Sequence, residues 1–225
     1  MSDLLPSSWP VRAAVRHPGP LYHRGQMAAG DGSHARSSSL EGPCLSCAPD
    51  LESADAWRSI ARLGGLPLWS LSLASGFLLL DFYRVHAQRL FAEAARLGLV
   101  EPAVVFRVTS YDSELESKVF SEYATLAEAQ AEQGEVDEGR KLQRRASWAP
   151  TAALRAYWRS RHAGAEISLV GIRDAAGVAL GDLYCPGLDG VLWRERLDPA
   201  AFSAPRVGLF QRTLPQVTRL ELPAR

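Results

Sequence analysis

Between Pro67 and Arg173 the spacing of apolar and polar positions changes period several times, and those changes outline a plan of elements. Trp69, Leu71 and Leu73 alternate with Ser70 and Ser72, the period of two that marks a half-buried strand over 67–73. Ser75 then stands where a helix cap belongs. From 77 to 97, a step of 100° per residue puts Leu79, Leu80, Tyr83, His86, Ala87, Leu90, Phe91, Ala94 and Leu97 on one broad face. This predicts a long amphipathic helix closed by Gly98, with His86 as a hydrogen-bonded core histidine.

Val104, Phe106 and Val108 next point one way and Val105, Arg107 and Thr109 the other. A polar turn at Tyr111, Asp112 and Ser113 leads to a return strand over 117–123, and the pair reads as a hairpin. Thr125-Leu-Ala-Glu128 is a capping box, in which the Thr hydroxyl accepts from a backbone N–H and the Glu reaches back, so a helix is expected to about Gln133. A second helix is predicted over 151–162, with Leu154, Tyr157 and Trp158 on one side, and a strand over 166–173. The order β-α-β-β-α-β is that of a ferredoxin-like core, an antiparallel sheet with helices on one face, and the expected class is α+β.

The remainder reads as a C-terminal β meander. Asp174-Ala-Ala-Gly177 serves as a hairpin loop between strands at 167–172 and 178–184, a turn at 185–190 precedes a strand at 191–197, and shorter strands follow near 207–210 and 217–222. Upstream, Ser53 is placed to cap a short helix in which Trp57, Ile60 and Ala61 share a face, stopped by Gly64 and Gly65. Residues 1–52 are rich in Ser, Gly and Pro without a sustained apolar period, the composition of a flexible, low-complexity tail. The expected organisation is a tail at 1–52, the main part of the core at 53–165, and the last core strand with the meander at 166–225.

Composition adds little to this picture until charge is mapped along the chain. Lys+Arg and Asp+Glu are 25 each, so no global field steers the molecule to nucleic acid or an anionic membrane. The balance conceals segregation. From 111 to 139 nine acids face Lys118 alone, whereas from 140 to 165 stand Arg140, Lys141, Arg144, Arg145, Arg155, Arg159 and Arg161 with no acid. Trp148, Tyr157 and Trp158 are interleaved with these cations. Guanidinium groups beside aromatic rings suit a phosphate backbone and stacked bases, so Arg140, Lys141, Arg144, Arg145, Trp148, Arg155 and Arg159 are the candidate nucleic-acid contacts. The competing reading is a solvated basic face paired with the acidic block, with Tyr157 and Trp158 in the core. Ser117-Lys-Val-Phe-Ser121 lacks the glycines of the aromatic ribonucleoprotein pattern.

Other candidate chemistry is sparse. Cys44 and Cys47 form one C-x-x-C, with His23 and His34 the nearest further ligands, a spacing of no familiar zinc site. With no disulfide framework to suggest secretion, a reducing, cytoplasmic setting is expected. Cys185 and His162 could form a thiolate–imidazole pair, and Asp112, Glu114 and Glu116 could gather a cation, but an acidic hairpin tip and a small buried thiol are the ordinary outcomes. Asp182 and Asp189 are read as turn residues. The signatures of a P-loop, a dinucleotide fold, a zincin and a nucleophile elbow are all missing. No catalytic, cofactor or metal residue is therefore assigned. The uncharged run 63–80 is diluted by Gly, Pro and Ser and reads as strand and helix start rather than a membrane span. The expected function is a non-enzymatic binding or accessory protein with nucleic acid as partner. The alternative is a protein-interaction or assembly module, including a homodimer, with Trp193, Phe202 and Phe210 as its contact residues.

Overall fold

The structure is a computed structural model that describes residues 11–27, 43–112, 117–134, 141–161, 166–169, 171–194 and 204–223. The first strands are β1 (Ala14–His17), β2 (Leu21–Arg24) and β3 (Leu45–Cys47), followed by α1 (Leu51–Ile60), β4 (Leu68–Ser72) and β5 (Phe77–Asp81). Then come α2 (Ala87–Arg96), β6 (Val100–Asp112), β7 (Ser117–Tyr123), α3 (Leu126–Gly134), β8 (Lys141–Pro150) and α4 (Ala152–Arg161). The chain continues with α5 (Ile172–Tyr184), β9 (Gly190–Trp193), β10 (Arg206–Leu209), a 3-10 turn at Gln211–Gln216 and β11 (Thr218–Leu222).

The strands form three sheets. A five-stranded sheet has the order β1-β5-β9-β10-β3, with β5 and β9 parallel and the other pairs antiparallel. A three-stranded sheet β11-β4-β2 joins it through a bridge between Tyr22 and Ala48. The third sheet, β7-β6-β8, is antiparallel and built largely from the long strand β6. The class is mixed α/β, with more sheets than a ferredoxin-like core contains, and the ferredoxin-like order is not found. Of the four strands expected to share one sheet, β4 sits in the second sheet and β6 and β7 in the third, while 166–169 forms no strand.

The central sheet is buried on both faces. Leu80, Val191 and Trp193 join α5, α2 and α4 in one apolar cluster, whereas Leu79, Leu192, Val207 and Leu209 join Leu21 and Leu71 of the second sheet in another. This double burial explains why β5 carries the pattern of a helix. Phe77, Leu79 and Leu80 are fully buried, and a strand covered on both sides loses its polar positions and with them its period of two. The predicted helix over 77–97 is therefore strand β5, a turn at 82–86 and the shorter helix α2. Tyr83 is 84% exposed, and His86 is exposed at the cap position of α2 rather than in the core.

The expected hairpin around Asp174–Gly177 is the middle of α5, the most completely buried helix, in which Ala175 to Gly181 are all buried. Gly177 and Gly181 are there because a side chain would not fit: a Cβ at Gly177 would meet the Phe82 ring at 2.5 Å, and one at Gly181 the Phe210 ring at 2.8 Å. Trp193 and Phe210, expected as surface contacts, are core residues, and Phe202 lies outside the described residues. The later strands β9, β10 and β11 stand near their expected positions, but they are divided between two sheets.

Residues 11–27 and 43–50, which composition assigns to a tail, supply β1, β2 and β3, and Leu21 and Leu45 are buried. The cap of α1 is Asp50, whose carboxylate accepts from the Ser53 N–H at 2.7 Å, three residues ahead of the expected cap. Cys44 and Cys47 are buried in different apolar clusters, which separates the C-x-x-C pair. Among the described residues no helix is long and apolar enough to cross a membrane.

Candidate functional site

The basic residues selected from sequence do not form one surface. Arg140 lies outside the described residues. Lys141, Arg144 and Arg145 stand exposed on β8, an edge strand of the third sheet. Trp148, further along β8, is a packing residue: its ring stacks on Phe91 of α2 at 5.5 Å with an interplanar angle of 14°. Arg155 and Arg159 are exposed on α4, and Arg155 is tied by its Nε to the Pro150 carbonyl at 3.1 Å. Pro150 is five residues beyond Arg145, about 17 Å along an extended strand. Tyr157 is buried and Trp158 packs against the core, so neither is a stacking platform.

The register of the third sheet assembles a different group. Val105 and Thr109 of β6 lie opposite Arg145 and Lys141 of β8, while Arg107, Thr109 and Tyr111 lie opposite Glu122, Phe120 and Lys118 of β7. Because side chains alternate, Arg107, Lys118, Lys141 and Arg145 share one face with Phe120 and Glu122, and Arg144 points to the other. Phe120 is 54% exposed. The Arg107 guanidinium carbon sits 3.9 Å from the centre of that ring, and its Nη2 donates to Glu122 Oε1 at 2.6 Å. Sequence reading missed Arg107, Lys118 and Phe120 because they were sorted by charge block, although the alternation along the hairpin already put them on one side.

A second polar locus lies at the carboxyl end of the parallel pair β5–β9. Asp81 closes β5 with no exposed surface. It accepts from the Tyr83 N–H at 3.1 Å and from Arg194 Nε at 2.6 Å, with Arg84 Nε at 3.5 Å. Arg194, just past β9, also lines a cleft of about 400 Å³ with Arg16 and His17 of β1 and Asp50 at the start of α1. Val15, Leu192, Pro49 and Pro205 form its apolar walls. None of these residues was selected from sequence: β1 lies in a Ser/Gly/Pro-rich stretch, and Asp81 falls inside the helix predicted over 77–97.

A third locus is structural. Asp182 is buried near the end of α5, where it accepts from Tyr157 Oη at 2.8 Å and pairs with Arg161 and Arg212. Arg212 also donates to the carbonyls of Gly181, Cys185 and Leu188 at 3.1, 3.0 and 2.6 Å, closing the helix end. Tyr157 is held far above the ordinary phenol range, chiefly by burial, with Cys44 and Asp182 adding to the shift and Arg161 opposing it. Burial pushes the Cys185 thiol up to about 11 against the pull of Arg212, which keeps it protonated and weakly nucleophilic near neutral pH. Its suggested partner His162, like the acidic tip at 113–116, lies outside the described residues. Asp189, expected as a turn residue, accepts from the Leu78 N–H at 2.7 Å.

Comparison with known proteins finds no match: no protein-family model, no curated protein and no solved structure is similar to this chain.

Proposed function

We propose that the protein is a non-enzymatic binding protein that contacts single-stranded nucleic acid on the β6–β7–β8 face. The observation that carries the reading is Phe120, an aromatic ring 54% exposed among Arg107, Lys118, Lys141 and Arg145 on one sheet face. Cations spaced along adjacent strands suit a phosphate backbone, and an exposed ring offers a base a surface to stack on. Glu122 neutralises part of Arg107, which leaves Lys118, Lys141 and Arg145 as the main phosphate contacts. Relative to the residues chosen from sequence, Lys141 and Arg145 stay in the site, Arg144 contributes only from the strand edge, and Trp148, Arg155 and Arg159 drop out.

The test is fluorescence anisotropy of the full chain with labelled single-stranded DNA and RNA across a salt series. Binding is expected to weaken steeply with salt, and Lys141→Glu/Arg145→Glu should flatten that slope by about two phosphate contacts. Phe120→Ala should weaken binding about ten-fold, within the range for loss of one stacked base. Absence of binding at low salt overturns the reading in favour of a protein-assembly role.

A further inference from the structure

We propose that the outer edge of β8 takes up an extended, acidic segment of a partner protein as an added strand. β8 runs ten residues against β6 in an unbroken register, from Lys141 opposite Thr109 to Pro150 opposite Val100, with no bulge. It is the last strand of its sheet, and among the described residues β6 alone hydrogen-bonds to the backbone of 141–147. Lys141, Gln143, Arg144, Arg145 and Ala146 are all exposed. A regular edge of this length presents a row of unpaired N–H and C=O groups that an extended peptide can satisfy.

The charge on that edge selects the occupant. Proteins blunt open edges with short strands, bulges, proline, covering elements or charge. β8 has neither a bulge nor a proline before Pro150, so over 141–147 charge is the guard. That charge has one sign: Lys141, Arg144 and Arg145 stand in a stretch, 140–165, that contains no acid. Against a second copy of β8, every register sets cations against cations or against neutral residues, which repels or gains nothing. Against an acidic strand the same cations attract.

The cations also lie on both sides of the sheet. The register with β6 puts Lys141 and Arg145 on one face and Arg144 on the other. A ligand lying on one face reaches only the first pair. A strand added beside β8 sends successive side chains to opposite faces, so two consecutive acids meet Arg144 on one side and Arg145 on the other. The exposed Ala146 next to them leaves the approach to the backbone open. Lys141 and Arg145 are shared with the nucleic-acid face, but the added strand needs Arg144 and the backbone edge, whereas the nucleic-acid reading needs Phe120.

Fluorescence anisotropy of the full chain with the labelled peptide Glu-Val-Thr-Glu-Glu-Val-Thr-Glu tests this. The expected result is saturable binding at low salt, with slower hydrogen exchange at the amides of 141–147 in the complex. The same peptide N-methylated at its four central residues keeps its charge but loses its donors, and should bind at least ten-fold more weakly. Arg144→Glu, an exposed change whose folding circular dichroism checks, should weaken the unmodified peptide at least five-fold. Phe120→Ala should leave peptide binding unchanged while weakening single-stranded DNA, so failure of this proposal and failure of the nucleic-acid reading are distinguishable. No peptide binding at low salt, equal affinity for the N-methylated peptide, full retention by a natively folded Arg144→Glu, or loss in Phe120→Ala would overturn it.

Discussion

The helix α5 and the β6–β7–β8 sheet handle polar groups in opposite ways. Around α5 the carboxylate is buried and its cations reach it from partly exposed positions: Asp182 receives Tyr157, Arg161 and Arg212, and Arg212 also closes the helix end. On the sheet, the Arg107–Glu122 pair lies on a face shared with exposed Lys118, Phe120 and Arg145. Similar side chains thus carry different weights. A buried carboxylate that loses its partner has no water to replace it, while a partly exposed one does.

The largest expected effect follows from that contrast. Arg212→Met should destabilise the protein by about 3–5 kcal/mol, because it strips the carbonyls of Gly181, Cys185 and Leu188 of a donor, at about 1–3 kcal/mol for each buried group left unsatisfied, and takes from Asp182 one of the cations it shares with Arg161. Arg107→Met should cost no more than about 1 kcal/mol, because Glu122 can turn to solvent. Urea denaturation of both variants checks the comparison. Equal losses would mean that the two regions do not differ in how they hold charge.

Gly177→Ala comes next and sharpens the same comparison through packing. In an exposed helix this change would gain about 1 kcal/mol of propensity. Here the new methyl would lie 2.5 Å from Phe82, which is buried and stacked on Trp193 at 5.2 Å, so the ring cannot simply swing away. Overpacking of this kind costs about 1–3 kcal/mol, and the expected sign is destabilising. A rise in melting temperature for Gly177→Ala would show that the α5 layer has slack that the geometry denies.

The same contrast explains what could be read from the sequence. The hairpin β6–β7, the capping box at Thr125 and the helix α4 were legible because one side of each faces water, which imprints a period on the residues. Thr125 and Glu128 make both expected bonds: the Thr125 N–H donates to Glu128 Oε2 at 3.0 Å and the Glu128 N–H to Thr125 Oγ1 at 3.2 Å. The elements covered on all sides carried no such imprint. Phe77-Leu-Leu-Leu80 fits a buried strand or a helix equally, and the Ala and Gly residues of 175–181 resemble a turn unless the rings packed against them are known. β1 to β3 were missed because they are three or four residues long and set among Ser, Gly and Pro. The cleft was illegible because much of its lining comes from β1 and from Pro49 and Asp50, all set in that Ser/Gly/Pro-rich stretch. The sheet face was only half legible. Its charges were visible, but grouping them needed the register of β6 against both neighbours.

The smallest expected effect tests whether the two regions unfold as one unit. Thr125→Ala removes the hydroxyl that accepts the Glu128 N–H while keeping the backbone N–H that donates to the Glu128 carboxylate, a loss of about 1 kcal/mol for a helix cap. α3 packs against all three strands of its sheet, so the loss should appear first as faster hydrogen exchange in α3 and the strands beneath it. Amides of α5 and β5, which sit in the doubly covered body, should keep their wild-type protection, since local opening need not pass through the most buried elements. Uniform acceleration across α3, α5 and β5 would instead mean that the sheet has no stability of its own and opens only with the body. Selective acceleration would make the β6–β7–β8 sheet a separately yielding layer, in which charge changes such as Lys141→Glu/Arg145→Glu can be made with little cost to the core that holds the cleft.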